Sequence, residues 1–361
     1  MLTLGIETSC DDTAAAVLSD ASNVLSSIVS SQDTIHAPYG GIVPELACRS
    51  HIENLRPAIH MALEKANVTL SDIDLIATTQ GPGLIGALLV GFSLAKALAY
   101  GLQKPLIPVH HLEGHIHSIH LEHPTLPYPL ITLVVSGGHT DLYYCPQRGH
   151  YRTLGRTRDD AAGECFDKVA KMMHLGYPGG PVIDRLAQEG NPQSVVFPRA
   201  MLTKKTYDFS FSGIKTAVRS HLLSITDGCG QQRFRDDAFW PLPEAPDWLQ
   251  QRNDILASFQ QAVVDVLVGK TLRAVREMQA QAIAVVGGVA CNSVLRHHMN
   301  LAGKAENLPV FFPSPRFCTD NAAMIACAAH HRYLKTPQNY DQKHFLDLEA
   351  HANLVIQDMP I

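Results

Sequence analysis

The chain has 361 residues, of which 46% are hydrophobic and 17% charged, and its formal net charge is −5 at pH 7. This length favours two domains, and the composition excludes disorder over most of the chain. The slight acidity excludes a protein coated in positive charge, so any contact with nucleic acid must use a local patch or a partner.

Two segments with the same pattern predict β-hairpins whose tips carry small and hydroxyl residues. The first covers residues 2–18, LTLGIETSCDDTAAAVL, and the second covers residues 131–145, ITLVVSGGHTDLYYC. Backbone amides in such a tip can form an anion-sized nest, although hairpin tips of any protein collect Gly, Ser and Thr. The recurrence favours two domains of similar construction.

Helices and further strands follow the first hairpin. Residues 51–66 have apolar residues at helical spacing. Residues 72–83 predict a buried strand that ends in a Gly-Pro-Gly turn, and an apolar helix then runs to Gly101.

Between residues 110 and 123 the chain reads HHLEGHIHSIHLEH, which holds six of its nineteen histidines. His111 and His115 are four apart, so a helix would place both imidazoles on one face, as a divalent metal ion requires. A His-rich surface helix would show the same letters, and the residues alone leave both interpretations open.

The second half repeats the strand and helix alternation. Residues 261–279 predict a long helix, and residues 282–292, AIAVVGGVACN, predict a strand that runs into a glycine turn before another helix. Strand, Gly-Gly and helix form a nucleotide-binding layout, but the motif is not GxGxxG, which disfavours a Rossmann cofactor site. A last helix at 318–334 has Asp320 near its N-cap, and residues 221–250 predict a surface excursion.

Charge and cysteine patterns narrow the class of protein further. The eight cysteines contain no CxxC pair, which argues against a zinc ribbon or a disulfide framework and favours a reducing cytoplasm. We expect no signal peptide in MLTLGIETSC and no membrane span. Two basic groups are typical of solvated surface or of nucleic-acid contact: Arg152, Arg156 and Arg158, then Lys204, Lys205, Lys215 and Arg219.

In order, these pieces resemble the actin, sugar-kinase and heat-shock-protein superfamily, an α/β fold in which two similar domains enclose a central nucleotide cleft. Within it the chain resembles the tRNA threonylcarbamoyladenosine transferase (TsaD) family, once described as O-sialoglycoprotein endopeptidases. The resemblance runs from residue 2 to about 330. Its motifs are ETSCDDT, GPGLIGALLVG, PVHHLEGH, LVVSGGHT, DDAAGECFDKVAK, YPGGP, FSFSGIK, GGVACN and CTDNAAMIA.

The resemblance implies a domain division. Residues 1–110 would form the first actin-like domain, with its last helix returning near the C-terminus. Residues 111–335 would form the second, with a lineage-specific insertion at about 221–250, and residues 336–361 a C-terminal tail.

The implied reaction is transfer of a threonylcarbamoyl group from threonylcarbamoyl-AMP to the N6 amine of adenosine 37, just 3′ of the anticodon. The acceptors are tRNAs that read codons starting with adenine, and AMP leaves. This is acyl transfer from a mixed anhydride. The protein must bind the adenylate, polarise the carbamoyl and phosphate oxygens, and position the attacking amine. ATP or AMP would be further occupants of the same cleft.

The resemblance also assigns residues. His111, His115 and Asp320 would hold Fe²⁺ or Zn²⁺, a set that leaves positions open for substrate oxygens. His110, His117 and His120 are expected to face elsewhere. The expected substrate-binding residues are Val134, Val135, Ser136, Gly137, Gly138, Asp167, Gly180, Asp184 and Asn292. Ser9, Asp11 and His139, in the two hairpin tips, are catalytic candidates for contact with the phosphate or the acyl group.

The resemblance implies three partners: tRNA, a paralogue of similar fold (TsaB) and a small ATPase (TsaE). The helix at 51–66 would be a docking face or plain core.

Three rival functions remain. A zincin protease needs HExxH, but Leu112 follows His111. A kinase or ATPase of this superfold would bind Mg²⁺ through phosphate, and a non-catalytic scaffold would not keep His111, His115 and Asp320.

Overall fold

The computed structural model describes residues 1–226, 247–340 and 344–356. Within these ranges the strands are β1 (Leu2–Glu7), β2 (Asp12–Ser19), β3 (Asn23–Ser31), β4 (Leu75–Gly81), β5 (Leu106–His110), β6 (Leu130–Val135), β7 (Thr140–Cys145), β8 (Arg152–Arg156), β9 (Ala282–Val286) and β10 (Val310–Phe311). The helices are α1 (Asp33–His36), α2 (Pro44–Ala66), α3 (Ile85–Leu102), α4 (His111–Ser118), α5 (Ala162–Met172), α6 (Gly179–Ala187), α7 (Ser212–Thr226), α8 (Trp248–Met278), α9 (Ser293–Ala305), α10 (Pro315–Cys318) and α11 (Ala322–Lys335).

Two sheets of the described chain share one strand order. The first runs β3-β2-β1-β4-β5, and the second, read in the same sense, runs β8-β7-β6-β9-β10. In each, three antiparallel strands are followed by two strands added in parallel. The repeated hairpins β1–β2 and β6–β7 are the two segments that the sequence predicts, and the predicted α/β fold of two similar units is confirmed.

Strands β1, β2, β4 and β5 of the first sheet are buried on both faces because helices cover both, whereas the edge strand β3 is partly exposed. Leu4 and Ile6 of β1 pack in one apolar cluster with Leu55 of α2 and Ala95 of α3. On the opposite face, Ala14 of β2 packs in a second cluster with helix α11. Burial of one such aliphatic side chain contributes about 1.5–3 kcal/mol to the free energy of unfolding, so the apolar runs of the sequence become buried strands.

Helix α11 packs on the first sheet although it lies near the end of the chain. A Cβ placed on Gly5 of β1 would lie 2.2 Å from the carbonyl oxygen of Ala322, so only glycine allows this approach. We propose that α11 is the returning helix of the first domain. The packing of α11 also places Asp320, two residues upstream of the helix, next to α4.

Two helices begin earlier than the sequence pattern predicts. Helix α2 begins at Pro44, not at residue 51, and α8 begins at Trp248, well before residue 261. Helix α7 also continues to Thr226. Helix therefore replaces both ends of the predicted excursion at 221–250, and its remainder, residues 227–246, lies outside the described residues.

Helices α3 and α8 are long and apolar enough to cross a membrane by length and composition alone. The apolar window of α8 is 72% buried and that of α3 is 33% buried. Both helices pack within the fold, α3 against β4 and α2, and α8 against α6 and α9. Core helices of soluble proteins meet the same length and composition test, so a soluble protein fits these observations.

The segment 344–356 crosses the ends of β4 and β5. The His351 amide donates to Gln80 O (2.9 Å), and the Gly83 amide donates to Ala352 O (3.1 Å). Gly81 has φ +154°, and a Cβ there would lie 2.0 Å from His351 O. The Gly-Pro-Gly turn of the sequence is therefore a site of close backbone contact with the C-terminal segment.

Candidate metal and adenylate site

The helix that carries the histidine pair is held at its N-terminus by His110. Its Nδ1 accepts the amide of Leu112 (3.2 Å), and its Nε2 lies 3.2 Å from Leu354 O. Nδ1 is the acceptor, so Nε2 bears the proton and donates it to that carbonyl. Burial lowers the pKa of His110 to about 3, which keeps the ring in the neutral form that both bonds require.

Helix α4 presents His111 and His115 to Asp320. Their Nε2 atoms lie 3.6 Å and 3.1 Å from Asp320 Oδ1, respectively. One donor atom from each of these residues lies within 4.8 Å of the others. The two rings are 4.8 Å apart, in an edge-to-face arrangement. The three residues that the sequence resemblance assigns to metal are thus brought to one point by α4 and the start of α11.

The three histidines that were expected to face away from the metal, His110, His117 and His120, have other partners. His117 Nε2 lies 2.8 Å from the hydroxyl of Tyr151, and His120 Nε2 lies 3.0 Å from that of Tyr128. His110 caps α4, as described above. These imidazoles therefore belong to the packing around α4, away from Asp320.

A carboxylate that sequence reasoning missed supports His111. Glu7, at the end of β1, is fully buried, and its Oε2 lies 3.3 Å from His111 Nδ1. The Ser9 hydroxyl lies 3.1 Å from the same nitrogen. A ring held at Nδ1 by a carboxylate directs Nε2 to a metal, the arrangement usual for metal-ligating histidines. One signal was available, because Glu7 is the one charged residue of strand β1.

The carboxylates of the site make it electronegative, so a bound cation would stabilise it. Burial lowers the pKa of His111, but the carboxylates of Asp320 and Glu7 outweigh it and raise that pKa to about 9. Burial raises the pKa of Asp320, but His111 and His115 reverse the shift and hold it below its usual range. Burial, with Asp320 and Asp11 nearby, raises the pKa of Asp12 to about 8.

The donor set fits a divalent metal ion. His115 is completely buried, and neither of its ring nitrogens makes a hydrogen bond within the described part of the chain, although Nε2 lies 3.1 Å from Asp320 Oδ1. An unsatisfied buried nitrogen costs free energy, and a metal at this point would satisfy it. Two imidazoles and one carboxylate suit Zn²⁺ or Fe²⁺ and leave coordination positions open.

Glu113, the acidic residue of the histidine motif, is engaged elsewhere. Its Oε1 accepts from Arg332 Nε at 2.9 Å, and its Oε2 pairs with Arg332 Nη2. The pair joins α4 to α11, and Glu113 is buried. A metalloprotease needs a free glutamate beside the metal to activate water, so this geometry disfavours proteolysis.

The start of α11 leaves Asp320 free for a ligand. Asn321 is the N-cap residue, and its Oδ1 accepts the Met324 amide at 2.9 Å. Asp320 therefore has no capping role, although the sequence placed it near the cap. Gly114 of α4 faces this helix, and a Cβ there would lie 2.7 Å from Ile325 Cδ1. The small residue lets α4 and α11 approach closely.

A cavity of about 440 Å³ extends from Asp320 into the second half of the molecule. Of the residues predicted to bind substrate, six line it: Ser136, Gly137, Asp167, Gly180, Asp184 and Asn292. Asp11 and Asp320 line it as well. This volume lies in the range of small-molecule and cofactor pockets, about 300–1,000 Å³.

The polar residues of the cavity also cap helices. Asp167 Oδ1 accepts the Gly179 amide at 2.7 Å, at the start of α6. Asp184 accepts the amide and hydroxyl of Ser293, and Asn292 Oδ1 accepts the Leu295 amide at 2.9 Å, both at the start of α9. Helix N-termini therefore converge on the cavity, and such ends favour anionic groups.

The loop after β6 contributes backbone to the cavity. Val134 and Val135 are fully buried in the apolar clusters on opposite faces of the sheet. Of the predicted loop residues, Val134, Val135 and Gly138 are not among the residues that line the cavity, whereas Ser136 and Gly137 are. The Ser136 hydroxyl accepts the His139 amide at 3.2 Å and shapes the tip.

The three predicted catalytic residues have different neighbours. Ser9 is in contact with His111, whereas the ring of His139 lies 6.3 Å from the ring of His111. Burial, together with His111 and His115, lowers the pKa of His139 to about 3, so its ring is neutral. Asp11 lies on the cavity wall, where its Oδ2 accepts from the Tyr177 hydroxyl at 3.4 Å.

Several cations of the predicted basic groups are neutralised within the fold. Arg158 donates to Asp208 Oδ2 through Nε at 2.8 Å, and Lys215 Nζ lies 2.6 Å from Asp160 Oδ2. Arg156 Nε is 3.7 Å from Asp141. Ion pairing favours the surface interpretation of these three residues over a free phosphate-binding patch.

Known proteins share this architecture. The chain aligns over 92% of its length, and 99% of the other, with component A of (R)-2-hydroxyglutaryl-CoA dehydratase from Acidaminococcus fermentans, at 14% identity and a TM-score of 0.52. It aligns over 92% of its length, and 47% of the other, with HypF from T. kodakarensis, at 16% identity and a TM-score of 0.57. These likenesses concern the fold alone.

Other proteins have much higher sequence identity to this chain than these two structures have. A protein of Moorella thermoacetica named tRNA N6-adenosine threonylcarbamoyltransferase is 49% identical over 99% of this chain and 96% of its own length. One of the same name from Syntrophotalea carbinolica is 51% identical over 98% of this chain and 96% of its own length. The family model for TsaD, tRNA N6-adenosine threonylcarbamoyltransferase, matches residues 23–327. The chain therefore belongs to the TsaD family of tRNA N6-adenosine threonylcarbamoyltransferases.

Proposed function

We propose that the protein transfers the threonylcarbamoyl group of threonylcarbamoyl-AMP to the N6 amine of adenosine 37 in tRNAs that read codons starting with adenine. One observation carries this proposal. Asp320 belongs to the three residues that could hold a metal ion and also lines the cavity of about 440 Å³. A metal ion next to a nucleotide pocket is better suited to a reaction of an acyl phosphate than to hydrolysis of a peptide bond.

The adenylate would occupy the cavity with its nucleoside toward the second half of the molecule. Asp167 and Asp184 have carboxylate oxygens that accept hydroxyl protons of ribose, and the Asn292 amide suits an adenine edge. Burial raises the pKa of Asp167 to about 6, against the amides of Gly179 and Gly180, so a bound hydroxyl would stabilise its ionised form. Ser136 and Gly137 line the wall between this region and the metal ligands.

His111, His115 and Asp320 would hold Fe²⁺ or Zn²⁺, which supplies Lewis-acid polarisation of the substrate oxygens when bound. Glu7 and Ser9 fix the imidazole of His111 through Nδ1. Because Ser9 is already in contact with that ring, we assign it a positioning role.

His139 lies at the second hairpin tip, with its ring 6.3 Å from that of His111. Burial, with His111 and His115 nearby, lowers the pKa of His139 to about 3, so its neutral ring is a weak proton acceptor, and we assign it hydrogen bonding to the acyl group in place of proton removal. Asp11, on the facing wall, would orient the acyl group. The reaction then ends with AMP leaving and the threonylcarbamoyl group on N6.

The decisive assay combines the protein, its partner subunits, threonylcarbamoyl-AMP and tRNA, and measures the modified nucleoside by mass spectrometry. Wild-type protein is expected to form product, and His111→Ala with His115→Ala to lose it. The exposed His297→Ala is the matched control and should retain activity. No product with wild type, or full product with the double variant, would refute the proposal. Phosphorylation of a small molecule by ATP instead would favour the kinase reading.

We also propose cytoplasmic residence and two protein partners, the paralogue TsaB and the ATPase TsaE. Helices α2 and α3 pack together and leave apolar side chains exposed, including Ile52 (64% exposed) and Leu89 (49%). Exposed apolar side chains on two adjacent helices support a docking face for the paralogue. Ile52→Glu with Leu89→Glu should abolish co-purification with TsaB, whereas Val196→Glu, at a 92% exposed position, should not. Equal binding by both variants would exclude this face.

A further inference from the structure

Helix α2 reaches the tip of the first hairpin through one buried side chain. His51 is completely buried, and its Nε2 lies 3.0 Å from the carbonyl oxygen of Cys10. Its Nδ1 lies 2.8 Å from the hydroxyl of Thr13, which is also completely buried. Cys10 and Thr13 lie on either side of Asp11 and Asp12. His51 therefore contacts both sides of the turn between β1 and β2.

The two contacts fix the imidazole in one neutral form. A carbonyl oxygen can only accept, so Nε2 bears the proton and donates it to Cys10 O. Nδ1 then accepts the proton of the Thr13 hydroxyl. Burial lowers the pKa of His51, which keeps the ring neutral, as this arrangement requires. One side chain thus joins the hairpin tip to α2 with a donor at one nitrogen and an acceptor at the other.

The residue before Cys10 is held by other elements. The amide of Leu84, at the N-cap of α3, donates to Ser9 O at 2.8 Å. The Ser9 hydroxyl lies 3.1 Å from His111 Nδ1. The start of the tip is therefore fixed by α3 and α4, independently of His51.

Asp11 lines the cavity and has weaker support from its side chain. The Tyr177 hydroxyl donates to Asp11 Oδ2 at 3.4 Å, beyond the usual O–H···O distance of about 2.5–3.0 Å. The carbonyl of Cys10 and the amide of Asp11 belong to one peptide plane, so a bond to that oxygen orients the backbone at Asp11. The bond that holds this oxygen comes from His51.

We propose that His51 is a positioning residue, which holds the Cys10–Asp11 peptide so that the Asp11 carboxylate is directed at the acyl group. This role rests on the proposed function, in which Asp11 orients that group. Among the described residues, His51 is not one of those that line the cavity, so it acts through the tip and not on the substrate. Leu55 of the same helix packs in the apolar cluster of the first sheet, which makes α2 a rigid support.

Steady-state kinetics of two variants and a control test this role. His51→Leu removes both hydrogen bonds and should lower kcat about 10- to 100-fold, because a displaced carboxylate no longer orients the acyl group. KM for threonylcarbamoyl-AMP should stay within about twofold, because the proposed nucleoside contacts belong to the second half. His51→Gln keeps a donor and an acceptor and should recover most of kcat. His60→Leu, at an exposed histidine of the same helix, is the matched control and should equal wild type.

Hydrogen–deuterium exchange on the full chain reports on the tip without substrate. In His51→Leu the amides of residues 8–13 should exchange about tenfold faster than in wild type, whereas the other amides of α2 and β2 should keep their rates. A histidine with a merely structural role would instead change exchange throughout α2 and β2. If His51→Leu fails to fold, Thr13→Val replaces it, because this variant removes only the contact at Nδ1, and the same pattern should appear with a smaller amplitude.

Unchanged kcat in His51→Leu, with an active wild type, would overturn the proposal. Equal losses of kcat in His51→Leu and His51→Gln would do the same, as would faster exchange spread evenly over the first sheet. If wild type forms no modified nucleoside, the proposed function fails. Fast exchange confined to residues 8–13 would then still show that His51 holds the tip, so the two failures are distinguishable.

Discussion

The two halves of the molecule have the same strand order but different chemistry at their hairpin tips. In the first half, the β1–β2 tip begins with the buried carboxylate Glu7 and continues with the buried hydroxyl Ser9, both directed at His111. In the second half, the β6–β7 tip carries the exposed residues Gly137 and Gly138. The shared topology therefore places a buried carboxylate and hydroxyl beside His111 on one side and exposed glycine backbone beside the cavity on the other, because the tip residues differ. We propose a cation site for the first and a nucleotide wall for the second.

The largest expected effect distinguishes loss of a proposed metal ligand from loss of a proposed nucleotide contact. Asp320→Asn should lower kcat at least about 100-fold, because a lost metal ligand removes Lewis-acid stabilisation worth several kcal/mol. Asp184→Asn, in the nucleotide wall, should mainly raise KM, by about tenfold for one weakened charge-assisted hydrogen bond. Steady-state kinetics with threonylcarbamoyl-AMP measure both. Equal effects on kcat would break the comparison.

The next effect compares the buried ion pair that joins α4 to α11 with an exposed ion pair of the second half. Arg332→Met leaves Glu113 buried without its partner, and we expect a loss of about 3–5 kcal/mol in the free energy of unfolding. Glu113→Leu with Arg332→Met should recover most of that loss, since no buried charge remains. In the second half, Arg276→Met breaks the exposed pair with Glu306 and should change stability by less than about 1 kcal/mol. Urea denaturation of the three variants tests the contrast, which similar losses in both single variants would contradict.

A third prediction concerns the support of His111. Glu7→Gln should weaken metal affinity about 10- to 100-fold, because the carboxylate orients the ligating ring. Asp141→Asn is the matched variant, because Asp141 is a buried carboxylate of the second hairpin that accepts from the Tyr143 hydroxyl. It should leave metal affinity unchanged. Competition with a chelating dye provides the measurement, and an unaltered affinity in Glu7→Gln would remove Glu7 from the site.

The smallest effect is the pH dependence of a buried lysine in the second half. Lys270 is 1% exposed, donates to Thr206 O at 2.8 Å, and has its pKa lowered by burial to about 8. The unfolded chain holds this proton up to about pH 10.4, so the free energy of unfolding should rise between about pH 8 and 10.4. Lys270→Met should abolish that rise, whereas the exposed Lys65→Met in the first half should retain it. Thermal unfolding at several pH values decides, and an unchanged slope in Lys270→Met would contradict the assignment.

Local patterns in the sequence predicted a good part of the site. The hairpins β1–β2 and β6–β7, the apolar helices and the pair His111 and His115 follow from periods of two and four residues. The role of Glu7 was not predicted, because no feature of strand β1 indicates a contact with a histidine of α4. The role of Glu113 was not predicted either, because its partner Arg332 belongs to a helix near the other end of the chain.

The sequence by itself determined the elements, because alternation and helical spacing act between near neighbours along the chain. It also determined the family, through motifs that run in order along most of its length. Only the tertiary structure decided that Asp320 meets His111 and His115 and that Glu7 supports them. Those contacts depend on α11 packing against the glycine of β1, a long-range fit of backbone shapes that no local period encodes.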